Sequence, residues 1–246
     1  MECYFVSDVH LESGNDGDTF RTETFVNFLR SLQGKADVLY LLGDIFDFWL
    51  EYEDEIPSGY ETVLSEIKEL TDNGCIVKFF RGNHDYWTLD YFERELGMEV
   101  FSEPYLIEKI NGLEICVGHG DVVGCKALKD RITFFLFRNR FLINVLRRMP
   151  RRRISAFAQK WSSRSRKSSS EYLFDPESSE LRRFCEKLGR TTRVDHFIFG
   201  HFHRRISIPI EGGAFLHILG DWSDGGNYLN LSGTNISGLG FPNTVI

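Results

Sequence analysis

Long apolar runs, paired cysteines and an export signal are all missing from this sequence. No stretch of about 18 residues is both apolar and uncharged, so we expect no helix that spans a membrane. The first residues do not join a basic segment to an apolar one, and we therefore expect a cytoplasmic protein. The five cysteines are scattered without a CxxC pair, which argues against a disulfide framework and against a cysteine zinc site.

The composition is that of a globular protein. Hydrophobic residues make up 42% of the 246 residues and charged residues 26%, so a disordered or collagen-like chain is excluded. The length suits one domain that carries an insertion. We predict a single domain over residues 1–246, because no linker rich in glycine, serine or proline divides the chain.

Charge is distributed unevenly. The formal net charge is −7, but residues 124–175 hold 14 Lys and Arg against 3 Asp and Glu. Phenylalanines run through the first half of this block in a pattern that is compatible with a helix. We predict that residues from approximately 124 to 175 form a helical basic and aromatic cap, which faces an anionic partner. A solvated basic helical surface is the alternative.

Short apolar runs alternate with helical periodicity in the rest of the chain. The periodicity predicts helices over residues 22–32, 62–70, 89–96 and 178–188, and the alternation is typical of a layered α/β protein. A last strand is predicted at Tyr228–Leu231, before a polar, glycine-rich end that we expect to be partly disordered. The runs predicted as buried strands are Cys3–Val6, Val38–Leu42, Ile76–Phe80, Leu113–Val117, His196–Phe199 and Phe215–Leu219.

Side chains that bind metals follow five of these predicted strands. In layered α/β folds, ligands bind beyond the carboxyl ends of strands, so we expect these side chains to share one crevice. Carboxylates, imidazoles and one amide oxygen suit divalent ions such as Mn²⁺, Fe²⁺ or Zn²⁺. The clusters are Asp8-Val9-His10, Gly43-Asp44 with Asp47, Gly82-Asn83-His84-Asp85, Gly118-His119-Gly120-Asp121 and Gly200-His201-Phe202-His203.

These ligands are too many for one ion. Asp44 is the natural bridge between two ions, and a pair of ions about 3.5–4 Å apart suits in-line displacement at phosphorus. Any one of these residues has an ordinary explanation, because aspartates cap turns and histidines pack in cores. The order of the five clusters, each behind an apolar run, is what favours a shared metal site.

The order DxH, GDxxD, GNHD, GHxD and GHxH resembles the calcineurin-like metallophosphoesterase superfamily. The resemblance implies an α/β (α+β) fold, a four-layer α-β-β-α sandwich around two divalent metal ions. It also implies the metal ligands, which are Asp8, His10 and His203 for one ion, Asn83, His119 and His201 for the other, and Asp44 as the bridge.

Catalytic and supporting roles follow from the same resemblance. His84 is expected to face the scissile phosphate, as a proton donor or as a cation that stabilises the transition state. Asp85 is expected to orient His84 by accepting a hydrogen bond from it. Asp47 and Asp121 are candidates for similar support, with ordinary turn chemistry as the alternative.

A narrower resemblance covers most of the chain, to about Trp222. The motifs SDVHL, GDIFDFWLEY, IPSGY, RGNHDYW, LGMEV and AFAQKWSSRSRKSS resemble UDP-2,3-diacylglucosamine diphosphatases of lipid A biosynthesis. The resemblance implies hydrolysis of UDP-2,3-diacylglucosamine to 2,3-diacylglucosamine 1-phosphate (lipid X) and UMP. Mn²⁺ is the expected metal, with Fe²⁺ or Zn²⁺ as alternatives. Another branch of that family carries an arginine at the position of His84.

The cap would present phenylalanines to the acyl chains of such a substrate and cations to its phosphates. Trp161, Arg164 and Lys167 are predicted to contact substrate. The same face is expected to make peripheral contact with the cytoplasmic surface of the inner membrane. We expect no nucleic-acid partner and no obligate protein partner. The alternative is that the phenylalanines form only the buried stripe of a helical hairpin.

Three other functions share some of these features. The chain could be a superfamily hydrolase that acts on a soluble nucleotide or another phosphoester. It could be a nuclease that tracks a phosphate backbone with its basic block, although the phenylalanines lie in apolar runs rather than between cations. It could also be a scaffold that has lost its metal chemistry, but every expected ligand is present.

Overall fold

The computed structural model describes residues 1–12, 19–52, 55–123, 140–149, 175 and 179–241, which form eleven strands and five helices. The strands are β1 (Glu2–Val6), β2 (Val38–Leu41), β3 (Ile76–Phe80), β4 (Glu99–Phe101), β5 (Leu106–Ile110), β6 (Leu113–Gly118), β7 (His196–Phe199), β8 (Ile206–Pro209), β9 (Phe215–Ile218), β10 (Gly226–Ser232) and β11 (Asn235–Phe241). The helices are α1 (Thr19–Leu32), α2 (Glu61–Asp72), α3 (Tyr91–Arg94), α4 (Arg140–Arg147) and α5 (Glu180–Gly189).

Two sheets carry these strands. The six-stranded sheet has the order β11-β10-β1-β2-β3-β4, and the five-stranded sheet has the order β5-β6-β7-β9-β8. Strands β1 to β4 are parallel, and so are β6, β7 and β9, whereas the remaining strands pair antiparallel at the edges. The parallel strands at the centre of both sheets are the apolar runs that the sequence analysis identified, because strands that are covered on both faces need apolar residues throughout.

Apolar side chains fill the space between the sheets and cover both outer faces. Phe5 of β1 and Ile198 of β7 belong to the inner cluster and are fully buried. Helices α1 and α2 cover the outer face of the six-stranded sheet, where Phe28 packs in the same cluster as Leu39. Helix α5 covers the outer face of the other sheet through Cys185. The expected α-β-β-α sandwich is therefore confirmed.

The tail of the chain differs from the prediction. We expected a partly disordered end after the strand at Tyr228–Leu231, but β11 pairs antiparallel with β10 from Ser232↔Asn235 to Gly226↔Phe241. The apolar residues of β11 (Ile236, Leu239 and Phe241) are separated by polar residues and glycines, so no continuous apolar run marks the strand. Strands β4, β5 and β8 were also not predicted, because their residues are only partly buried.

Only residues 140–149 and 175 of the predicted cap are described. They include α4, so a helix is present where the sequence predicted helical structure. Ile143 of this helix is buried against Leu50 and Trp87. The Arg147 guanidinium donates a hydrogen bond to the Glu51 carbonyl oxygen (2.8 Å) and so attaches the helix to the body. In the described part of the chain, no helix has the length and apolarity needed to cross a membrane.

Candidate metal centre

The predicted ligands lie at the carboxyl ends of the central parallel strands of both sheets. The two sheets are joined at this edge, because the backbone amide of His201 donates a hydrogen bond to Asp8 Oδ2 at 2.8 Å. The strand ends that supply side chains are those of β1 (Asp8 and His10), β2 (Asp44), β3 (Asn83 and His84), β6 (His119) and β7 (His201 and His203).

Five of these residues have left-handed backbone conformations. The φ angles are 55° at Asp8, 50° at His10, 53° at Asp44, 74° at His201 and 52° at His203. Among the described non-glycine residues, the remaining one with positive φ is Asn111. Each such conformation costs on the order of 1–3 kcal/mol and is retained where the surrounding structure enforces it, typically at functional sites.

Glycines allow the ligand loops to meet in direct backbone contact. A Cβ atom on Gly200 would overlap Ser7 Oγ and come within 2.5 Å of Asp8 Oδ2. A Cβ atom on Gly82 would overlap Asp44, and one on Gly43 would lie 2.7 Å from His119 Nδ1. The glycines before Asp44, Asn83 and His201 are thus required by close approach.

The first group of ligand atoms comes from Asp8, His10 and His203. His203 Nε2 lies 3.5 Å from Asp8 Oδ1 and 3.3 Å from His10 Nε2. Asp8 Oδ2 accepts hydrogen bonds from Ser7 Oγ and from the His201 amide. Asp8 Oδ1, by contrast, is buried without a hydrogen-bond partner among the described residues, and it faces the two imidazoles.

The second group comes from Asp44, His119 and His201. His119 Nε2 lies 3.4 Å from Asp44 Oδ2 and 3.2 Å from the amide oxygen of Asn83. Asp44 Oδ2 is also 3.9 Å from His10 Nε2, which belongs to the first group. Asp44 therefore lies between the two groups, as the sequence analysis expected of a bridging ligand.

Two of the imidazoles, His119 and His84, are held through Nδ1, which leaves Nε2 as the atom that can face the site. His119 Nδ1 donates to the Leu42 carbonyl oxygen, and His84 Nδ1 donates to the Asp47 carbonyl oxygen, both at 2.8 Å. His10 Nδ1 lies 3.5 Å from Asp47 Oδ1. Tethers of this kind select the tautomer whose other nitrogen can bind a metal.

Burial and neighbouring charge have opposite effects on the pKa of His119 in the second group. Burial lowers the pKa of His119, but the neighbouring carboxylates, Asp44 foremost, together outweigh burial and hold that pKa well above its usual value. Burial also lowers the pKa of His201, to about 3, and the nearby His119 adds to the effect. His201 is therefore neutral, and its ring nitrogen can bind a metal ion. His119 is protonated, and a cation bound beside it would displace that proton.

The hydrogen bonds of Asp85 differ from the prediction, which was that Asp85 orients His84. Its two oxygens accept hydrogen bonds from the backbone amides of Gly82 (2.9 Å), Asp44 (3.2 Å), Ile45 (2.7 Å) and Phe46 (3.3 Å). The carboxylate thus holds the turn that carries Asp44. The residue that holds the His84 ring is Asp47, through its carbonyl oxygen.

His84 is part of the same crevice. Its ring lies edge-on to that of His10, with the ring centroids 4.8 Å apart, and its backbone amide donates to Asp44 Oδ1 at 2.8 Å. One of its ring nitrogens lies close enough to His10 and Asp44 to share a cation with them. The ring can therefore act on a phosphate beside the metal centre or contribute to the centre itself.

Of the two candidates for support, Asp47 contacts His10 and His84, as described above. The charge of Asp121 contributes to the raised pKa of His119. The predicted substrate residues Trp161, Arg164 and Lys167 lie outside the described residues.

Sequence reasoning missed one residue next to a ligand. Asp221 Oδ2 lies 3.4 Å from His203 Nδ1. Burial raises the pKa of Asp221, but hydrogen bonds from His203 and Ser223 outweigh it and lower that pKa to about 2. A signal was present, because Leu219-Gly220-Asp221 repeats after β9 the pattern that Leu42-Gly43-Asp44 forms after β2.

The donor set fits hard and borderline divalent cations. It offers carboxylate oxygens, imidazole nitrogens and one amide oxygen, arranged in groups whose atoms lie within 4.8 Å of one another. The unpartnered, buried Asp8 Oδ1 is the strongest single indication, because a buried carboxylate oxygen without a partner is costly unless a cation or a hydrogen-bond donor compensates it.

The fold and these clusters define a class of protein. The family model of calcineurin-like phosphoesterases matches residues 1–205, and the chain belongs to this family. The family acts on phosphoester bonds and implies divalent metal ions, so the chain is a metal-dependent hydrolase.

Curated relatives extend over nearly the whole chain. A UDP-2,3-diacylglucosamine hydrolase of Porphyromonas gingivalis is 32% identical, with 96% of this chain and 95% of the relative covered. A protein of the same name from Actinobacillus succinogenes is 28% identical, with 96% of this chain and 97% of the relative covered. A solved dimetal phosphatase of Danio rerio has a TM-score of 0.53 at 11% identity and covers 98% of this chain and 95% of its own, which supports the fold.

Proposed function

We propose that the two groups of ligand atoms bind two divalent cations, with Mn²⁺ as the physiological metal. Asp8, His10 and His203 hold one ion, whereas Asn83, His119 and His201 hold the other, and Asp44 bridges them. The position of Asp44 Oδ2 supports this assignment, since it lies 3.4 Å from His119 Nε2 and 3.9 Å from His10 Nε2. When bound, such ions lower the pKa of water and neutralise charge on phosphoryl oxygens.

The substrate that we propose is UDP-2,3-diacylglucosamine. The alignments with relatives named UDP-2,3-diacylglucosamine hydrolase cover almost the whole of this chain and of each relative, and this observation carries the proposal. The bond broken is the pyrophosphate bond, and the products are UMP and 2,3-diacylglucosamine 1-phosphate. This reaction belongs to lipid A biosynthesis.

His84 is the group that we assign to the reacting phosphate. Its Nδ1 donates to the Asp47 carbonyl oxygen, so Nε2 is the ring atom available to the phosphate, and it donates a hydrogen bond or a proton there when the ring carries both protons. Its side chain is 3% exposed, so that bond acts in a site of low dielectric, where it is stronger than in water. The chain thus supplies a donor at a fixed position beside the proposed metal ions.

An apolar cluster attaches α4, which belongs to the predicted cap, to the turns that carry Asp47 and Asp85. Leu50, Trp87 and Ile143 form its buried centre, with Phe48 and Tyr86 packed against them. These residues immediately follow Asp47 and Asp85 in the chain or come from α4. Trp161, Arg164 and Lys167 are proposed to complete the substrate site.

We further propose that the protein works in the cytoplasm, in peripheral contact with the inner membrane. The 14 basic residues between positions 124 and 175 support this, because an anionic leaflet attracts a basic surface by about 1 kcal/mol per nearby cation. Flotation with vesicles that contain anionic lipid should recover the protein, and vesicles of zwitterionic lipid should not. Equal recovery on both would contradict the electrostatic contact.

The decisive test is product analysis. Protein loaded with Mn²⁺ is incubated with UDP-2,3-diacylglucosamine in detergent, and UMP and the diacyl sugar phosphate are measured by mass spectrometry. We expect both products from the wild type. His119→Ala should lose one Mn²⁺ and most of the activity, whereas the exposed Asp90→Asn provides a matched control with normal activity.

Two outcomes separate the metal centre from the substrate. If the lipid substrate survives while bis-p-nitrophenyl phosphate is cleaved, the metal centre stands and the substrate is wrong. The chain would then act on a soluble nucleotide or another phosphoester. If neither compound is cleaved and no Mn²⁺ binds, the metal centre itself is refuted.

A further inference from the structure

A loop from the five-stranded sheet reaches the metal centre beyond the part of the chain that the family model matches. Strand β9 continues its pairing through Leu219, whose amide donates to the Phe199 carbonyl oxygen at 2.8 Å. Asp221 follows two residues later and arrives at the edge where β7 delivers His203. The family model ends at residue 205, so this loop lies outside the motifs that identify the site.

The loop is firmly anchored on both sides of Asp221. Trp222 is fully buried and packs edge-on against Phe25 and Phe28 of α1, with ring centroids 5.1 and 5.3 Å apart. The Asn227 side-chain amide donates to the Asp221 carbonyl oxygen at 2.6 Å. The position of the Asp221 backbone is therefore set by contacts that do not involve the metal ligands.

The two carboxylate oxygens of Asp221 have separate partners. Oδ1 accepts hydrogen bonds from the Ser223 amide (3.2 Å) and the Ser223 hydroxyl (2.7 Å). Oδ2 lies 3.4 Å from His203 Nδ1. Because Ser223 fixes the rotation of the carboxylate, Oδ2 is held towards the imidazole.

His203 needs such a tether more than the other imidazoles. Its side chain is 19% exposed, compared with 4% for His10 and 2% for His119. The tight packing that restrains the two buried rings is weaker here.

We infer that Asp221 is a positioning residue of the metal centre: it accepts the Nδ1 proton of His203 and so directs Nε2 at the ion shared with Asp8 and His10. This inference rests on the proposed metal centre. It adds a carboxylate that acts through the ligand and does not touch the metal. Carboxylates behind metal-binding histidines typically alter metal affinity by about 10- to 100-fold.

The test is a Mn²⁺ titration of the full chain. Binding is measured by calorimetry and by the electron paramagnetic resonance signal of free Mn²⁺. We expect Asp221→Ala to bind one Mn²⁺ as the wild type does and the other about 10- to 100-fold more weakly. Asp221→Asn keeps an oxygen acceptor, so its affinity for the second Mn²⁺ should lie between that of the wild type and that of Asp221→Ala. Asp224→Ala is the matched control, because it removes an exposed carboxylate from the same loop and should change affinity by less than about threefold.

The outcomes distinguish this inference from the proposed function. Two unchanged Mn²⁺ affinities in Asp221→Ala would overturn the positioning role and leave the metal centre intact. An equal fall in both affinities in Asp221→Ala and Asp221→Asn, together with a lower unfolding temperature in EDTA, would assign Asp221 to loop packing and also overturn it. A wild type that binds no Mn²⁺ would refute the metal centre and the inference together.

Discussion

The Asp85 carboxylate accepts a hydrogen bond from the backbone amide of Asp44 at 3.2 Å. Three further backbone amides, from Gly82, Ile45 and Phe46, donate to the same side chain. A fully buried acidic group therefore holds together the two turns that present Asp44 and Asn83. The GNHD motif thus combines a ligand and a supporting residue, and the support acts on the neighbouring loop rather than on His84.

Replacing Asp85 should damage the fold as well as the site. Asp85→Ala leaves several buried amides without an acceptor, and each unsatisfied buried donor costs about 1–3 kcal/mol. We expect the free energy of unfolding in EDTA to fall by at least about 3 kcal/mol, as measured by urea denaturation. Asp85→Asn should lose less, because one oxygen remains. An Asp85→Ala protein as stable as the exposed control Asp90→Asn would contradict this account.

Replacing His84 should separate catalysis from metal binding. If His84 donates a proton or hydrogen bond to the substrate, His84→Ala lowers kcat by about 10²- to 10⁴-fold and still binds two Mn²⁺. The measurement combines Mn²⁺ stoichiometry with product formation at saturating metal. Loss of one Mn²⁺ from this variant would show instead that His84 is a ligand alongside His10 and Asp44, which its position in the crevice permits.

Gly200→Ala should abolish the site through one methyl group. The added Cβ would overlap Ser7 Oγ and press on Asp8 Oδ2, so the loops after β1 and β7 must separate. Overpacking of this kind costs about 1–3 kcal/mol or more, and here it also displaces a ligand. We expect weaker Mn²⁺ binding and a lower unfolding temperature. Gly189→Ala is the control, because its Cβ would meet no atom within 4 Å; equal behaviour of the two variants would refute the steric argument.

Stability should fall in mild acid because of His217, a buried histidine that is not among the proposed metal ligands. Burial lowers the pKa of His217 to about 4, and His217 hydrogen-bonds His196 (3.0 Å) and Ser207 (2.9 Å) as a neutral ring. Between its ordinary pKa of about 6.5 and about 4, the unfolded chain takes up a proton that the folded chain does not. Unfolding is therefore favoured as the pH falls through this window, by up to about 3 kcal/mol.

The check is urea denaturation in EDTA at pH 7.5 and pH 5, for wild type and His217→Gln. EDTA removes bound metal from both proteins, so the difference between them isolates His217. The wild type should lose more stability than the variant on going to pH 5. The same loss in both proteins would mean that other groups account for the acid sensitivity.

The central strands were predictable because strands that are buried on both faces consist of apolar residues throughout. Val38–Leu42 and His196–Phe199 are short apolar runs, and β2 and β7 lie there. Strand β11 could not be found in this way, since it is an edge strand whose apolar residues are separated by polar residues and glycines, and it pairs with β10 through backbone hydrogen bonds. Backbone pairing does not depend on side-chain type, and an apolar pattern does not report it.

The metal site, like the fold, was predictable from the sequence only in part. The residue types after five strands, from Asp8 to His203, were enough to predict a shared divalent metal site, because parallel strands bring their carboxyl ends to one edge. The sequence alone did not reveal which atom each side chain directs at that site. Nothing in GNHD says that Asp85 bonds to the Asp44 turn, and nothing in GHFH says that Asp221 stands behind His203.

By itself, therefore, the sequence determined the layers of the fold, the chemistry of the ligands and the family to which the chain belongs. These depend on local composition and on the order of motifs along one chain. The tertiary structure alone decided the hydrogen-bond partners of Asp85, the tether of His203 and the orphaned oxygen of Asp8. Such properties arise from contacts between loops far apart in sequence, whose distances only the packing of the two sheets sets.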